Sequence, residues 1–168
     1  MIEYKVKVHE NGYKAWYLNG KRHREDGPAI ECADGSKIWY IDGKRHREDG
    51  PAAEYADRDK HWYLNDKLHR EDGPAIEYVE GDNHWFLDGK RHREDGPAAE
   101  CDDGGKTWYL NGKIHREDGP AVEYADGSKD WYLNGGRVTE DKVMNPGKEL
   151  TVAEISKLLG YDVKIIKG

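Results

Sequence analysis

Six tryptophans stand in one register along the chain: Trp16, Trp39, Trp62, Trp85, Trp108 and Trp131, each 23 residues after the last. A fixed period in the twenties marks a repeat array, in which each unit is one supersecondary element that buries its apolar face only against its neighbours. The phrase around each tryptophan also returns. From Trp16 to Pro28 it reads Trp-Tyr-Leu-Asn-Gly-Lys-Arg-His-Arg-Glu-Asp-Gly-Pro. Periodicity this strict overrides the disorder suggested by a low aliphatic content, because six Trp and eleven Tyr supply large areas to bury.

Each unit reads as a β-hairpin. Residues 28–33 form one arm, Asp34-Gly35 the turn, and residues 36–41 the returning arm; the pattern repeats around Asp57-Arg58, Glu80-Gly81, Asp103-Gly104 and Asp126-Gly127. Arg58 stands where the other units have glycine, so a positive φ there is costly. A second Asn-Gly or Asp-Gly pair follows each tryptophan arm, and only Asn65-Asp66 lacks its glycine. A two-residue turn at Asp34-Gly35 predicts Ile30 opposite Trp39, Ala29 opposite Tyr40 and Glu31 opposite Ile38. One face then carries Trp39, Ile41, Ile30 and Cys32, with Trp62, Leu64, Ala53 and Tyr55 in the next unit, and is the expected core. The other face carries Tyr40, Ala29 and Glu31. The Lys-x-His-Arg-Glu-Asp segment is expected to fold back over the tryptophans, which Arg and His stems suit.

The ends depart from the unit. Residues 2–9 alternate apolar and polar as a strand, Glu10-Asn11-Gly12 turns, and residues 13–18 return. Lys5 and Lys7 would guard this first edge against edge-to-edge pairing. The array is expected over residues 1–142, with a degenerate last unit, then a linker over 143–147 and a helix-strand cap over 148–168. In the cap, Thr151 and Glu154 fit a capping box, Val152, Ile155, Leu158 and Leu159 form a stripe, and Gly160 is a stop. Residues 161–166 read as a strand. The fold class is therefore mainly β: an elongated single-sheet array of antiparallel β-hairpin repeats with a small C-terminal helix-strand cap, whose task is to close the open end.

The 23-residue period, the Asn-Gly-Lys-Arg-His element and the Asp-Gly turn resemble the MORN repeat family, whose units are hairpins laid side by side in one sheet. The resemblance covers residues 9–137. It departs where that family has His-Gly-x-Gly, because Arg-Glu-Asp stands here before Gly-Pro. This variant is similar to repeats associated with bacteriophages and large DNA viruses, which implies a scaffold or binding module. The lipid binding reported for the family fits poorly, since the chain is acidic and has no polybasic stripe.

Charge and composition exclude several classes. The net charge is −7 with both signs interspersed, so no broad basic face meets a phosphate backbone, and nucleic acid is an unsuitable partner. No apolar run reaches membrane-spanning length and the first residues form no secretory apolar region, so no membrane partner is expected and the location is read as cytoplasmic, in the host cell if the source is viral. Cys32 and Cys101 are three units apart, about 29 Å at two strands per unit, too far for a disulfide, and read as small core fillers.

No catalytic constellation stands out. The ladder His23, His46, His69, His92, His115 places equivalent atoms about 9–10 Å apart, too far to share one zinc, so no metal is expected. Arg-Glu-Asp recurs five times, whereas a catalyst needs one pocket whose groups differ. Its reading is an ion-pair ladder in which Arg47 meets carboxylates of adjacent units such as Asp26 or Asp72. His61 and His84 read as variable strand positions. Nucleophile-elbow, phosphate-loop and metalloprotease motifs are absent from the sequence, and no cofactor is expected.

What remains is recognition. Tyr17, Tyr40, Tyr63, Phe86 and Tyr109, beside Glu31, Glu54, Glu77 and Glu100, are expected to form a repeated strip suited to a protein partner. Leu68 and Ile114 replace arginine in two units and are candidate exposed anchors. The expected function is a non-catalytic, virus-encoded accessory protein that holds a protein partner along its sheet. The alternatives are an inhibitor of a host defence protein, by occlusion or acidic mimicry, and a virion structural component. An edge-to-edge or cap-mediated homodimer stays open.

Overall fold

The computed structural model describes residues 3–147 and 150–164. It is an array of antiparallel hairpins: one fourteen-stranded sheet runs through every unit, and four two-stranded hairpins lie beside it. The first strand, β1 (Lys5–Val8), pairs with β2 (Lys14–Leu18) and forms one edge of the sheet order. Lys5 and Lys7 are exposed on that edge, but so are Val6 and Val8, so the alternation expected there does not bury an apolar face.

Each of the four inner units contributes two hairpins because its tryptophan arm breaks in the middle, whereas the first and last arms, Lys14–Leu18 and Lys129–Leu133, run through unbroken. In the second unit, Lys37–Ile38 belongs to the large sheet, Trp39 leaves the ladder, and Tyr40–Ile41 pairs with Lys44–Arg45. The connecting Asp42-Gly43 has φ +50° and +83°, the two left-handed residues of a type I′ turn. The first turn differs from the expected two-residue form. Gly35 N–H donates to the Cys32 carbonyl at 3.1 Å and Cys32 N–H donates to the Ser36 carbonyl at 2.8 Å. That is a three-residue loop whose last residue, Gly35 at φ +94°, makes the bulge.

The extra loop residue shifts the register by one. Ile30 lies opposite Ile38 and Glu31 opposite Lys37, so Trp39 faces Ala29 rather than Ile30. A slip of one turns a whole strand over. Ala29 and Glu31 therefore join the tryptophan face, while Ile30 and Cys32 join the tyrosine face. Ala52 is placed between Trp39 on one side and Trp62 on the other. The five alanines at this position, Ala29, Ala52, Ala75, Ala98 and Ala121, have no exposed surface, since only a methyl group fits between the flanking side chains. The other face buries Ile30, Ala53, Ile76 and Tyr63. The core is thus a line of alanines under half-buried tryptophans on one side of the strands and a row of Ile30, Ala53, Ile76, Ala99 and Val122 with Tyr63 on the other. Cys32 is half-buried in this row, but Cys101 is exposed and fills no core.

Two units place a side chain at a backbone position suited to glycine. Asp66, at φ +66°, is held by its carboxylate, which accepts from Arg45 N–H at 3.1 Å and Nε at 2.9 Å. Arg58, at φ +81°, has no such compensation among the described contacts. Arg58→Gly is expected to raise the unfolding free energy by about 1 kcal/mol by removing that strain. Paired urea melts of the two proteins check it, and an unchanged midpoint refutes it.

The C-terminal end corrects two expectations. Helix α1 (Glu140–Met144) occupies the last residues of the expected array and the first of the expected linker, capped by Thr139. Its Val143 is 3% exposed, and α1 packs on the last tryptophan strand, Lys129–Leu133. Helix α2 (Val152–Leu159) has the predicted Thr151–Glu154 capping box and a left-handed Gly160. However, α2 buries none of its residues, and Leu158 is 72% exposed, so the array end is closed by α1 and not by the α2 stripe. The strand expected over 161–166 is absent at 161–164, and its last two residues lie outside the described residues.

Candidate functional site

On the tryptophan face, five units build the same clamp from an Arg-Glu-Asp-Gly-Pro loop. Arg47 Nε donates to Asp49 Oδ1 at 2.9 Å, and Nη1 donates to the Pro51 carbonyl at 3.3 Å and to Glu54 Oε1 at 3.1 Å. Its Cζ lies 4.2 Å from the centre of the Trp39 ring. A Cβ added to Gly50 would come within 3.0 Å of that Cζ, so the guanidinium is sandwiched between an indole and a bare glycine. The loop does shield the tryptophans, and the arginine pairs with Asp49 of its own loop and with Glu54 of the next hairpin, an adjacent-unit carboxylate other than the expected Asp26 or Asp72. Donation from their arginines holds the carboxyls of Asp49, Asp72, Asp95 and Asp118 below the usual carboxylate range.

The histidine ladder stitches units together. Nδ1 of His23, His46, His69, His92 and His115 accepts the N–H of Asp42, Asn65, Asp88, Asn111 and Asn134 in turn, at 3.0–3.3 Å. Each acceptor thus anchors the I′ turn of the following unit. An imidazole whose Nδ1 accepts carries its proton on Nε2, leaving no free lone pair for a metal. Among the described residues no three His, Cys, Asp or Glu side chains converge in a metal-binding group. Equimolar zinc, or a chelator, is expected to leave the melting temperature unchanged; a stoichiometric rise would reassign the ladder.

The expected recognition strip is not assembled. Glu54 and Glu77 lie on the tryptophan face, held by Arg47 and Arg70. The aromatic row lies on the opposite face, interleaved with a second set of arginines. Arg22 lies opposite Tyr17 and reaches over Tyr40, Arg45 sits 3.9 Å over Tyr63, and Arg91 lies between Phe86 and Tyr109. Leu68, opposite Tyr63, and Ile114, opposite Tyr109, take arginine positions in this row. Both are half-buried and are not exposed anchors.

The sequence reading missed a central cluster on that face. His61 makes edge contacts to Tyr55 at 5.0 Å and Tyr78 at 5.8 Å, and His84 contacts Tyr78 at 5.9 Å. The signal was available, since Ile38 occupies the position of His61 and Thr107 that of His84 in neighbouring units. Both nitrogens of His61 are buried without a hydrogen-bond partner among the described residues. Burial pushes both imidazoles below the ordinary histidine value of 6.5. With the folded value depressed, the unfolded chain takes up the proton first as pH falls. Stability from this pair is therefore full above about pH 6.5 and is lost below it, until the folded histidines themselves titrate. His61→Ile/His84→Thr is expected to be increasingly more stable than the wild type as pH drops from 7 to 5. A stability difference that stays constant over that range would refute it.

Between successive Arg-Glu-Asp loops the tryptophan face opens into repeated clefts. The cleft over Trp62 has a volume of about 730 Å³, a floor of Trp62, Leu64 and His69, and walls formed by the loops beginning at Arg47 and Arg70. Equivalent clefts of about 620 Å³ and 700 Å³ lie over Trp39 and Trp85. Their rims are acidic: the side chains of Glu48, Glu71 and Glu94 are 84–86% exposed. Identical pockets in tandem suit repeated, low-specificity contacts and not a single reaction. No protein-family model matches the chain, and no curated protein matches it. Among the described residues no helix is long and apolar enough to cross a membrane.

Proposed function

We propose that this chain is a non-catalytic repeat module that holds a protein partner along its tryptophan face, across several units at once. The observation that supports it is the series of matching clefts, each with an apolar floor and a carboxylate rim, at the pitch of the hairpin array. A MORN-like relationship belongs to the same proposal and is supported by the 23-residue hairpin unit. A viral accessory role, including occlusion of a host defence protein, fits such a surface. Acidic mimicry fits it less well. Each Arg-Glu-Asp triplet carries one arginine against Glu and Asp, a net single negative charge per loop, or one per about 9.6 Å along the row of loops. Duplex DNA carries one charge per about 1.7 Å of its axis.

The test uses the folded protein and a Glu48→Lys/Glu71→Lys/Glu94→Lys variant with an unchanged melting curve. A cellular protein retained by the first and lost by the second supports cleft-mediated binding. Equal retention by both places the interface elsewhere.

A further inference from the structure

At the first position of this series, beside His23 and Glu25, the array holds a side chain of the protein's own. Tyr4, one residue before β1, lies on the same face as Val6, which pairs with Trp16. Its ring sits 6.3 Å from the ring of His23, and its hydroxyl oxygen accepts the Glu25 N–H at 3.3 Å. In the 23-residue register Tyr4 stands where the following loops have Gly27 and Gly50, both of which line the later clefts. The effect is measurable along the ladder. The side chain of His23 is 7% exposed, against 19% for His46, 17% for His69, 12% for His92 and 11% for His115. Glu25 is 58% exposed, against 84–86% for Glu48, Glu71 and Glu94. Among the described residues, no acceptor meets the N–H of those three glutamates, the group that Tyr4 satisfies at Glu25.

We infer that the clefts over Trp39, Trp62 and Trp85 are tandem sites for tyrosine side chains of an extended cationic partner segment, each ring seated as Tyr4 is seated beside His23. The inference rests on the proposed protein-binding role and names its ligand class. Three properties of the clefts specify the segment. An aromatic ring covers the imidazole and its phenol oxygen takes the free N–H, as Tyr4 does. The carboxylate rims call for Lys or Arg beside each ring. The pitch sets the spacing, since two strands per unit give about 9.6 Å between clefts. A polyproline II segment rises about 3.1 Å per residue with three residues per turn, so every third side chain projects from one side about 9.3 Å apart. A β-strand fails this match, because side chains three residues apart point to opposite faces. The partner segment is thus polyproline-II-like, with tyrosine at every third position and basic residues between.

The probe is a blocked synthetic peptide of three Tyr-Pro-Lys repeats, titrated into the full chain by calorimetry and by NMR of the six indole N–H signals. It is expected to bind roughly a hundredfold more tightly than a single repeat, from linked sites. Replacing its tyrosines with leucine, or its lysines with glutamate, should cost at least about tenfold. The signals of Trp39, Trp62 and Trp85 should shift while Trp16 stays fixed, and Trp16 should join them in Tyr4→Ala. In Glu48→Lys/Glu71→Lys, folded by its melting curve, affinity should fall at least about tenfold. Binding equal for the leucine peptide, insensitive to the rim variant, or shifting Trp16 in the wild type overturns the inference. If a captured protein still depends on the rims while the tyrosine peptide fails, the ligand class is wrong and the binding role stands. If capture is indifferent to the rims, the role itself falls.

Discussion

Tyr63→Ala is expected to lower the unfolding free energy by about 3–5 kcal/mol, the range for truncating a buried aromatic. Tyr63 is 8% exposed, the one aromatic among the most buried apolar side chains of the described residues. Arg45 lies 3.9 Å over its ring, Leu68 stands opposite it, and His61 packs at 6.2 Å. Its removal therefore opens a cavity at the middle of the array, where units on both sides depend on their neighbours. Trp62, half-buried beneath Arg70, should cost less despite its larger size, because part of its ring already meets solvent. Urea unfolding of both variants ranks them. A loss below about 1 kcal/mol at Tyr63 would mean that the tyrosine face is open, against the burial that the ring shows.

How much of this was legible in the sequence depends on which element is asked. The period of the tryptophans specifies unit length and repetition, and turn pairs such as Asp34-Gly35 and Asp42-Gly43 within the period specify hairpins. The capping box over Thr151 and Glu154 was legible because two residues at a fixed spacing define it. Register was not. Asp34-Gly35 in a three-residue bulged loop and Asp42-Gly43 in a two-residue I′ turn carry the same letters. The difference lies in Ala33, one residue that joins the loop rather than the strand. That residue decides which face receives Glu31, Glu54 and Glu77, and so dissolves the tyrosine–glutamate strip while creating the arginine clamps. Helix α1 did carry a signal, with Thr139 as cap and Glu140 and Asp141 in its first turn. It was hidden because Glu140–Met144 straddles the end of a unit that keeps its length and the start of the expected linker. The seating of Tyr4 on His23 depends on side chains 19 residues apart, and local pattern has no access to it.

Arg70→Ala is expected to cost roughly 2–3 kcal/mol, well above a surface ion pair, because one guanidinium makes four kinds of contact at once. It covers Trp62 at 4.1 Å and donates to Asp72 at 2.8 Å, to Glu77 at 2.6 Å and to the Pro74 carbonyl at 3.2 Å. Truncation uncovers the indole and leaves the half-buried Glu77 carboxylate without its arginine. Lysine should rescue little, since a point charge on a flexible stem cannot stack on the ring and bridge both carboxylates in one plane. Gly73→Ala offers an independent route to the same clamp. Its new Cβ would lie 2.9 Å from Arg70 Cζ, so the guanidinium must leave the sandwich while the charge remains. A clamp that works by geometry predicts a loss for Gly73→Ala of about 1–2 kcal/mol and little further loss when Arg70→Ala is added. Simple Coulomb attraction between exposed groups predicts that Gly73→Ala is nearly silent and that 0.5 M salt abolishes the Arg70 effect. A double-mutant cycle of these two positions, melted in low and high salt, separates the two. Additive losses that vanish in salt would reduce the five clamps to surface ion pairs.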